Sequence, residues 1–295
     1  MRIKRFNEFL NEAEKTSKGV LKIIFTGDIM QHQKQIDDSK DKDYDYYKVF
    51  EEVKFLFESA DVVIGNLETT FSGDFGNKRE DGKVHFSAPD EFAKGLKEAG
   101  FTHICIANNH IMDHGVAGYQ RTIDVLEKAG LVVIEGSKII KANDYRFEVY
   151  NFTTHINQDG PDDLLKKLQN SYKTAEYGLD FNIAFPHWGG QYTEQETKEQ
   201  IQIAKELCNM GYEYVIGSGP HQNHQTDITE EGKVIAYSLG DFLSDHMKEG
   251  APNEGKILSL KIEDNKMIDL REYYTRSQTD DGNTIIRLLN INELV

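Results

Sequence analysis

Residues 102–130 read THICIANNHIMDHGVAGYQRTIDVLEKAG, and three patterns follow one another within them. Residues 102–107 form a short, largely apolar run rich in β-branched side chains, as buried strands do. From Val116 onward Val116, Tyr119, Ile123 and Leu126 recur at helical spacing, and Gly130 closes that helix. Between the two stand Asn108, Asn109, His110, Asp113 and His114. A strand that ends in amides and imidazoles and then enters a helix is one unit of an α/β sheet. Its polar groups lie where such sheets bind ligands, beyond the carboxyl ends of the strands.

The unit recurs along the chain. LKIIF (21–25), DVVIGN (61–66), LVVIEG (131–136), FNIAFP (181–186) and YEYVIGS (212–218) are runs of the same kind. Ser87 with Asp90 suits a capping box ahead of a helix carrying Phe92, Leu96 and Ala99, stopped by Gly100. Thr193 with Glu196 suits another, with Ile201, Ala204 and Cys208 inward and Gly211 as its stop. Such alternation predicts a sheet with parallel strands and helices outside it. KVIAYSL (233–239), KILSLKI (256–262) and MIDLREYY (267–274) follow with little helix between them and read as antiparallel strands completing or facing that sheet. Residues 35–47 and 72–83 read as polar loops. No repeat or Pro-rich linker divides the chain, so one domain is expected over residues 21–295, after a short arm at 1–20.

Composition narrows the classes. With 38% apolar residues among 295, a real core is affordable and wholesale disorder is excluded. A formal net charge of −16 disfavours a surface for nucleic-acid duplex. It leaves room for a phosphorylated substrate, because a bound metal inverts the local field. Cys105 and Cys208 form no CxxC pair and read as core residues. No run reaches the roughly 20 apolar residues of a membrane helix, and MRIKRFNEFLNEAEK (1–15) lacks a secretory apolar segment. A cytoplasmic protein without a membrane anchor is therefore expected. In the arm, Phe6, Phe9 and Leu10 fall at amphipathic helical spacing. This stretch resembles the leader peptides of internal head proteins of large tailed bacteriophages, which are cut after Leu/Ile-x-Glu, here Leu10-Asn11-Glu12. That resemblance implies the host cytoplasm or the virion.

Polar residues collect at the strand ends. Asp28 follows IIFTG, Asn66 and Glu68 follow VVIG, and Asn108, Asn109 and His110 follow ICIA. His187 and Trp188 follow IAFP, His221 and His224 follow YVIGSGP, and Asp241 follows IAYSLG. One such group is ordinary loop chemistry; the full set on one rim marks a site. Carboxylates, an amide oxygen and imidazoles without thiolate suit Mn, Fe or Zn. Ligands from separate strands can hold one ion, or two roughly 3.5–4 Å apart as in phosphoryl transfer, with a non-ligand imidazole protonating the leaving oxygen. Trp188 reads as packing or as a wall on which a substrate ring stacks. His114 reads as fixing a neighbour's orientation. Asp113 reads as doing the same or, in preference, as the cap of the helix near Val116. His85, His103, His155 and His246 have no comparable setting.

GDIM, NLE, NNHxxDxG, HWG, GPH and YSLGDF occur here in the order typical of the CapA/PgsA family of capsule and poly-γ-glutamate synthesis proteins, which is similar in fold to calcineurin-like metallophosphoesterases. The resemblance covers residues 21–246. It implies an α/β, four-layer αββα sandwich with mixed sheets. It also implies metal ligation by Asp28, Glu68, Asn109, His187 and His221, with His110 as general acid and Asn66 beside the second motif. Some positions depart from the metallophosphoesterase pattern. Met30 stands where motif one usually has histidine, and His32 lies two further on. Ser218 and Gly219 stand where the earlier histidine of motif five would be, with His224 out of register. Asp241 replaces the usual asparagine of YSLGNF. A weakened second metal site is therefore expected.

The leading expectation is a soluble, metal-dependent phosphoesterase acting on a small phosphorylated or polymeric acidic substrate. A non-hydrolytic metal-binding or accessory protein is the alternative. A third possibility is action on poly-γ-glutamate or another cell-surface polymer. Oligomeric state is left open.

Overall fold

The computed structural model describes residues 18–40, 42–80, 83–169, 173–245, 253–280 and 283–289. The arm expected over residues 1–20, with its Leu10-Asn11-Glu12 sequence, lies outside the described residues except for 18–20, and so does His246. In chain order the first strands are β1 (Leu21–Ile29), β2 (Val62–Leu67), β3 (Lys78–Glu80), β4 (Lys83–His85), β5 (His103–Cys105), β6 (Val132–Ile134), β7 (Gly136–Ala142) and β8 (Tyr145–Thr153). Then come β9 (Phe181–His187), β10 (Tyr214–Ile216), β11 (Thr226–Ile228), β12 (Val234–Ala236), β13 (Asp241–Leu243), β14 (Asn253–Glu263), β15 (Lys266–Asp280) and β16 (Asn283–Leu288). The helices are α1 (Gln33–Lys40), α2 (Tyr47–Phe50), α3 (Lys54–Glu58), α4 (Glu91–Ala99), α5 (Gly115–Lys128), α6 (Asp162–Gln169) and α7 (Lys198–Asn209).

Two mixed sheets result. One has the order β16-β15-β14-β1-β2-β5-β6, with β13 also paired to β1; the other is β11-β12-β10-β9-β8-β7. Strand alternation then builds the layers. Leu21, Ile23 and Phe25 of β1 point inward with Val62 and Ile64 of β2, meeting Phe147, Val149, Phe181, Ile183 and Phe185 of the facing sheet. Ile24 and Val63 point the other way, against Phe92 and Leu96 of α4 and Leu126 of α5. On the far side of the second sheet Ala184, Val215 and Ile235 pack against Ile203, Ala204 and Leu207 of α7. The strands are apolar on both faces because both faces are covered, the signature of an αββα stack.

β14 and β15 complete the first sheet as antiparallel strands, whereas β12 joins the second, parallel to β10. Residues 35–40, expected within a loop, lie in α1, where Ile36 is buried and Lys34 pairs with Asp38 across one turn. Helix starts moved as well. α7 begins at Thr197, whose hydroxyl forms a capping box with Gln200, while the Thr193 hydroxyl turns to the Gly190 carbonyl. The later start is the one that buries Ile203, Ala204 and Leu207 and leaves Cys208 half-buried. Ser87 does not cap α4; its hydroxyl pairs with Ser72. In α5 Val116 is exposed, and Thr122 takes the inward position, donating to the Gly118 carbonyl.

Candidate metal centre

The site forms where the carboxyl ends of strands from both sheets converge. At the end of β1 the pairing with β2 slips between Thr26 and Asp28, which sets Asp28 opposite Asn66. Gly27 occupies the slip, and a Cβ there would lie 2.0 Å from the Gly240 carbonyl oxygen. Only glycine permits that approach. The Asp28 N–H donates to the same carbonyl at 2.9 Å, and β13 runs parallel to β1 so that Asp241 lies opposite Asp28. From the second sheet, His187 ends β9, and Ser218, Gly219 and His221 follow β10. His221 sits at φ +57°. For a non-glycine residue this left-handed backbone is costly and concentrates at functional sites.

Asp28, Glu68 and His187 bring one ligand atom each to within 4.8 Å of one another, and Asp28, His221 and Asp241 do the same. Glu68 Oε1 lies 3.6 Å from His187 Nε2 and 3.8 Å from His221 Nε2. Those separations are long for hydrogen bonds, yet they suit two ligands of one ion, each roughly 2.0–2.2 Å from it. Both Glu68 oxygens and Asn109 Oδ1 are buried without a hydrogen-bond partner. Buried polar atoms seldom remain so, and this oxygen and imidazole set fits a divalent ion. Asp28 differs. Its Oδ1 accepts from Asn66 Nδ2 at 2.7 Å and its Oδ2 from the Gly219 N–H at 3.0 Å. Asp241 Oδ1 lies 2.9 Å from His221 Nδ1.

The electrostatics follow this geometry. Burial holds the Glu68 carboxyl well above its ordinary range, reinforced by Asp28, Asp241 and Asp113 and opposed by His221. At Asp28 burial pulls the same way, but the His187 hydrogen bond, the charges of His187 and His221 and the Asn66 amide outweigh it, bringing the carboxyl to about 2. Burial would lower His221; the Glu68, Asp241 and Asp28 carboxylates overcome it and lift the imidazole to about 10. His187 is lowered, chiefly by burial.

His110 stands on the flank, its Nε2 4.0 Å from Glu68 Oε1. Its Nδ1 lies 2.8 Å from Asp113 Oδ2, which also accepts from the Phe86 N–H at 2.8 Å. A carboxylate accepts only, so Nδ1 carries the hydrogen and Nε2 faces the cluster. Asp113 thus orients His110 and does not cap α5; the N-cap is His114, without a side-chain cap bond. The preference for a cap is corrected by a partner, Phe86, that lies far away in the sequence.

Asn66 joins the cluster, its amide also 3.1 Å from His187 Nδ1. Three expected candidates lie elsewhere. His224 Nε2 bonds the Thr193 carbonyl at 2.7 Å, His114 Nδ1 meets Thr70 Oγ1 at 3.0 Å, and His32 packs edge-on against Phe86. Trp188 is buried in the outer core, its indole N–H donating to the Tyr237 carbonyl at 2.9 Å, and it borders the cleft beside the centre. Met30 is buried.

Other residues carried no expectation. Ser218 Oγ lies 3.1 Å from His187 Nδ1. Asn151 of β8 spans the sheets, accepting from the Ala107 N–H and donating to the Phe185 carbonyl. His85 Nδ1 meets the Asp113 carbonyl at 2.7 Å, and Asn157 reaches His110. β8 lies outside the runs that read as strands, yet its FEVYNFT is followed by His155 and Asn157, the same strand-end signal that marks the other residues.

Comparison with known proteins places the fold and the family. A Capsule biosynthesis protein CapA of Bacillus anthracis is 30% identical over 251 residues, covering 76% of this chain and 60% of the relative. A PGA biosynthesis protein CapA of Bacillus subtilis is 28% identical over 254 residues, covering 78% of this chain and 64% of the relative. The chain thus spans less than two thirds of either relative's length. A crystal structure described as a novel phosphatase, from Mycoplasma pneumoniae, superposes with a TM-score of 0.55 at 16% identity, over 90% of this chain and 96% of that one; the likeness is one of fold. Among the described residues no helix is long and apolar enough to cross a membrane. The model of the bacterial capsule synthesis protein family PGA_cap matches residues 22–151 and 135–246, and the chain belongs to that family.

Proposed function

We propose that this chain is a metal-dependent phosphoester hydrolase. The observation that carries the reading is the set of buried oxygens of Glu68 and Asn109, without hydrogen-bond partners, beside His187 and His221 and flanked by the His110–Asp113 pair. Glu68, Asn109, His187 and His221 would hold one divalent ion, Mn, Zn or Fe, and Asp28 with Asp241 would support a second. When bound, such ions supply Lewis-acid activation of water and of the phosphoryl oxygens. The chain's own part is positional and acid–base. Asp113 holds the Nδ1 hydrogen of His110, so in the imidazolium form the second hydrogen, on Nε2, is the one that passes to the departing oxygen. Asn66 and Ser218, both on the Nδ1 side of His187, keep its Nε2 towards Glu68.

The test uses protein stripped of metal and reloaded with Mn²⁺ or Zn²⁺, assayed on 4-nitrophenyl phosphate and bis(4-nitrophenyl) phosphate. Turnover above background is expected. His110→Ala should lower it by roughly 10²–10⁴-fold while metal content stays, and Asp28→Ala should lower metal content too. Background rates on both esters with metal bound would leave the non-hydrolytic accessory reading. That reading draws on one observation, that both Asp28 oxygens already accept hydrogen bonds. Action on an anionic polymer such as poly-γ-glutamate ranks lower, since the described residues lining the cleft include no Lys or Arg.

A further inference from the structure

A cleft of about 340 Å³ opens beside the centre, reaching from Asn109 and His187 to Thr154, His155, Asn157 and Gln191. The described residues that line it include no Lys, Arg, Asp or Glu. In a protein of net charge −16, an anionic group there meets no Lys or Arg among the described lining residues, the Lys83 ammonium being engaged by the Asn157 carbonyl. An uncharged group with hydroxyls meets several hydrogen-bonding side chains.

Asn157 is the most firmly placed of these. It is half-buried. Its N–H donates to the Asn109 carbonyl at 2.9 Å, locking the loop after β8 to the turn after β5. Its carbonyl accepts from the Lys83 ammonium, and its Oδ1 lies 3.0 Å from His155 Nε2. With those positions taken, Nδ2 is directed to His110 Nε2 at 3.5 Å, the outer limit of a hydrogen bond. A leaving group lying in the cleft within reach of His110 therefore passes the Asn157 amide. Backbone contacts hold that amide in place before substrate arrives, which reduces the ordering cost of using it.

We propose that Asn157 is a specificity-determining residue, hydrogen-bonding a hydroxyl on the leaving alcohol, so that the cleft selects phosphodiesters of uncharged polyols or sugars over esters with anionic leaving groups. This rests on the hydrolase reading. Water adds to phosphorus, the P–O bond to the alcohol breaks, the alcohol leaves with the proton from His110, and a proton from the water goes to solvent. Sites that hydrogen-bond a substrate hydroxyl discriminate strongly against analogues lacking it.

The experiment measures kcat/KM of the Mn²⁺-loaded full chain on glycerophosphoglycerol, bis(4-nitrophenyl) phosphate and ATP, with Mn²⁺ affinity followed calorimetrically. Wild type should prefer glycerophosphoglycerol to ATP. Asn157→Ala should lower the ratio of glycerophosphoglycerol to bis(4-nitrophenyl) phosphate activity by about tenfold, the worth of one neutral hydrogen bond; Asn157→Ser should restore part of it. An unchanged ratio, or a preference for ATP, overturns the inference while the hydrolase reading stands. Equal loss on both diesters also overturns it, and reduced Mn²⁺ affinity in that case identifies Asn157 as a scaffold for Asn109. No cleavage of any probe by wild type defeats the hydrolase reading and this inference with it.

Discussion

Two halves of one cluster are built from the same residue types and treat them differently. On one half, Glu68 presents buried oxygens with no donor, facing two imidazole nitrogens, and Asn109 Oδ1 is likewise buried without a hydrogen-bond partner. On the other, Asp28 accepts from Asn66 and Gly219, and Asp241 engages His221. A buried carboxylate without donors is costly, and it is sustained where an ion completes it. A carboxylate supplied with N–H groups is stable by itself and has only its remaining lone pairs for a metal. The first half is shaped around a cation; the second is a hydrogen-bonded frame that a cation has to share.

The sharpest way to break this comparison is Glu68→Ala, expected to weaken Mn²⁺ binding by more than the tenfold to hundredfold typical of a ligand's outer partner, or about a hundredfold or more. The metal-free melting temperature should hold or rise, because a buried carboxyl is gone. Wild-type affinity in that variant would end the distinction. Asp241→Asn should cost less, on the order of tenfold, through a looser His221. If calorimetry finds the two variants equally impaired, the halves are equivalent.

Proton linkage sharpens the same contrast. His221, lifted to about 10, holds a proton that a metal displaces. Mn²⁺ affinity should therefore rise with pH, by up to about tenfold per unit for each proton released. In metal-free protein the raised His221 contributes stability that is fully present below its unfolded value of 6.5 and is lost as pH rises towards 10. Thermal melts with and without Mn²⁺ should diverge in that window, and parallel curves would contradict the linkage. The smallest effects are expected at His32→Ala and His224→Ala: less than about twofold in Mn²⁺ affinity and about 1 kcal/mol of stability from a single hydrogen bond. A larger affinity loss at either would extend the cluster beyond its present borders.

Much of the site was legible because buried strands end abruptly. Apolar runs stop at Asp28, Asn66, Glu68, Asn109, His187 and Asp241; the structure groups Asp28, Asn66, Glu68, His187 and Asp241, and Asn109 lines the cleft beside His187. Where local signals are degenerate, legibility failed. Thr193–Glu196 and Thr197–Gln200 both satisfy a capping pattern, and only packing of Ile203, Ala204 and Leu207 chooses between them. Asp113 looks like a cap until the Phe86 N–H reaches it across the fold. Asn157 was not legible because the β7–β8 hairpin carries charged residues on both faces, Lys138 on one and Lys141 with Arg146 on the other, so that β8 lacks a clear strand pattern.

For IANNHIMDHG and its counterparts, sequence alone specified which groups stand at strand ends, since a run of apolar residues is a local property and its end is visible. Which carboxylate is satisfied and which is left facing two imidazoles was decided by closure of the two sheets. The donors and neighbours that settle it, Gly219 for Asp28 and His187 and His221 for Glu68, lie more than a hundred residues away, and no local pattern encodes such a meeting.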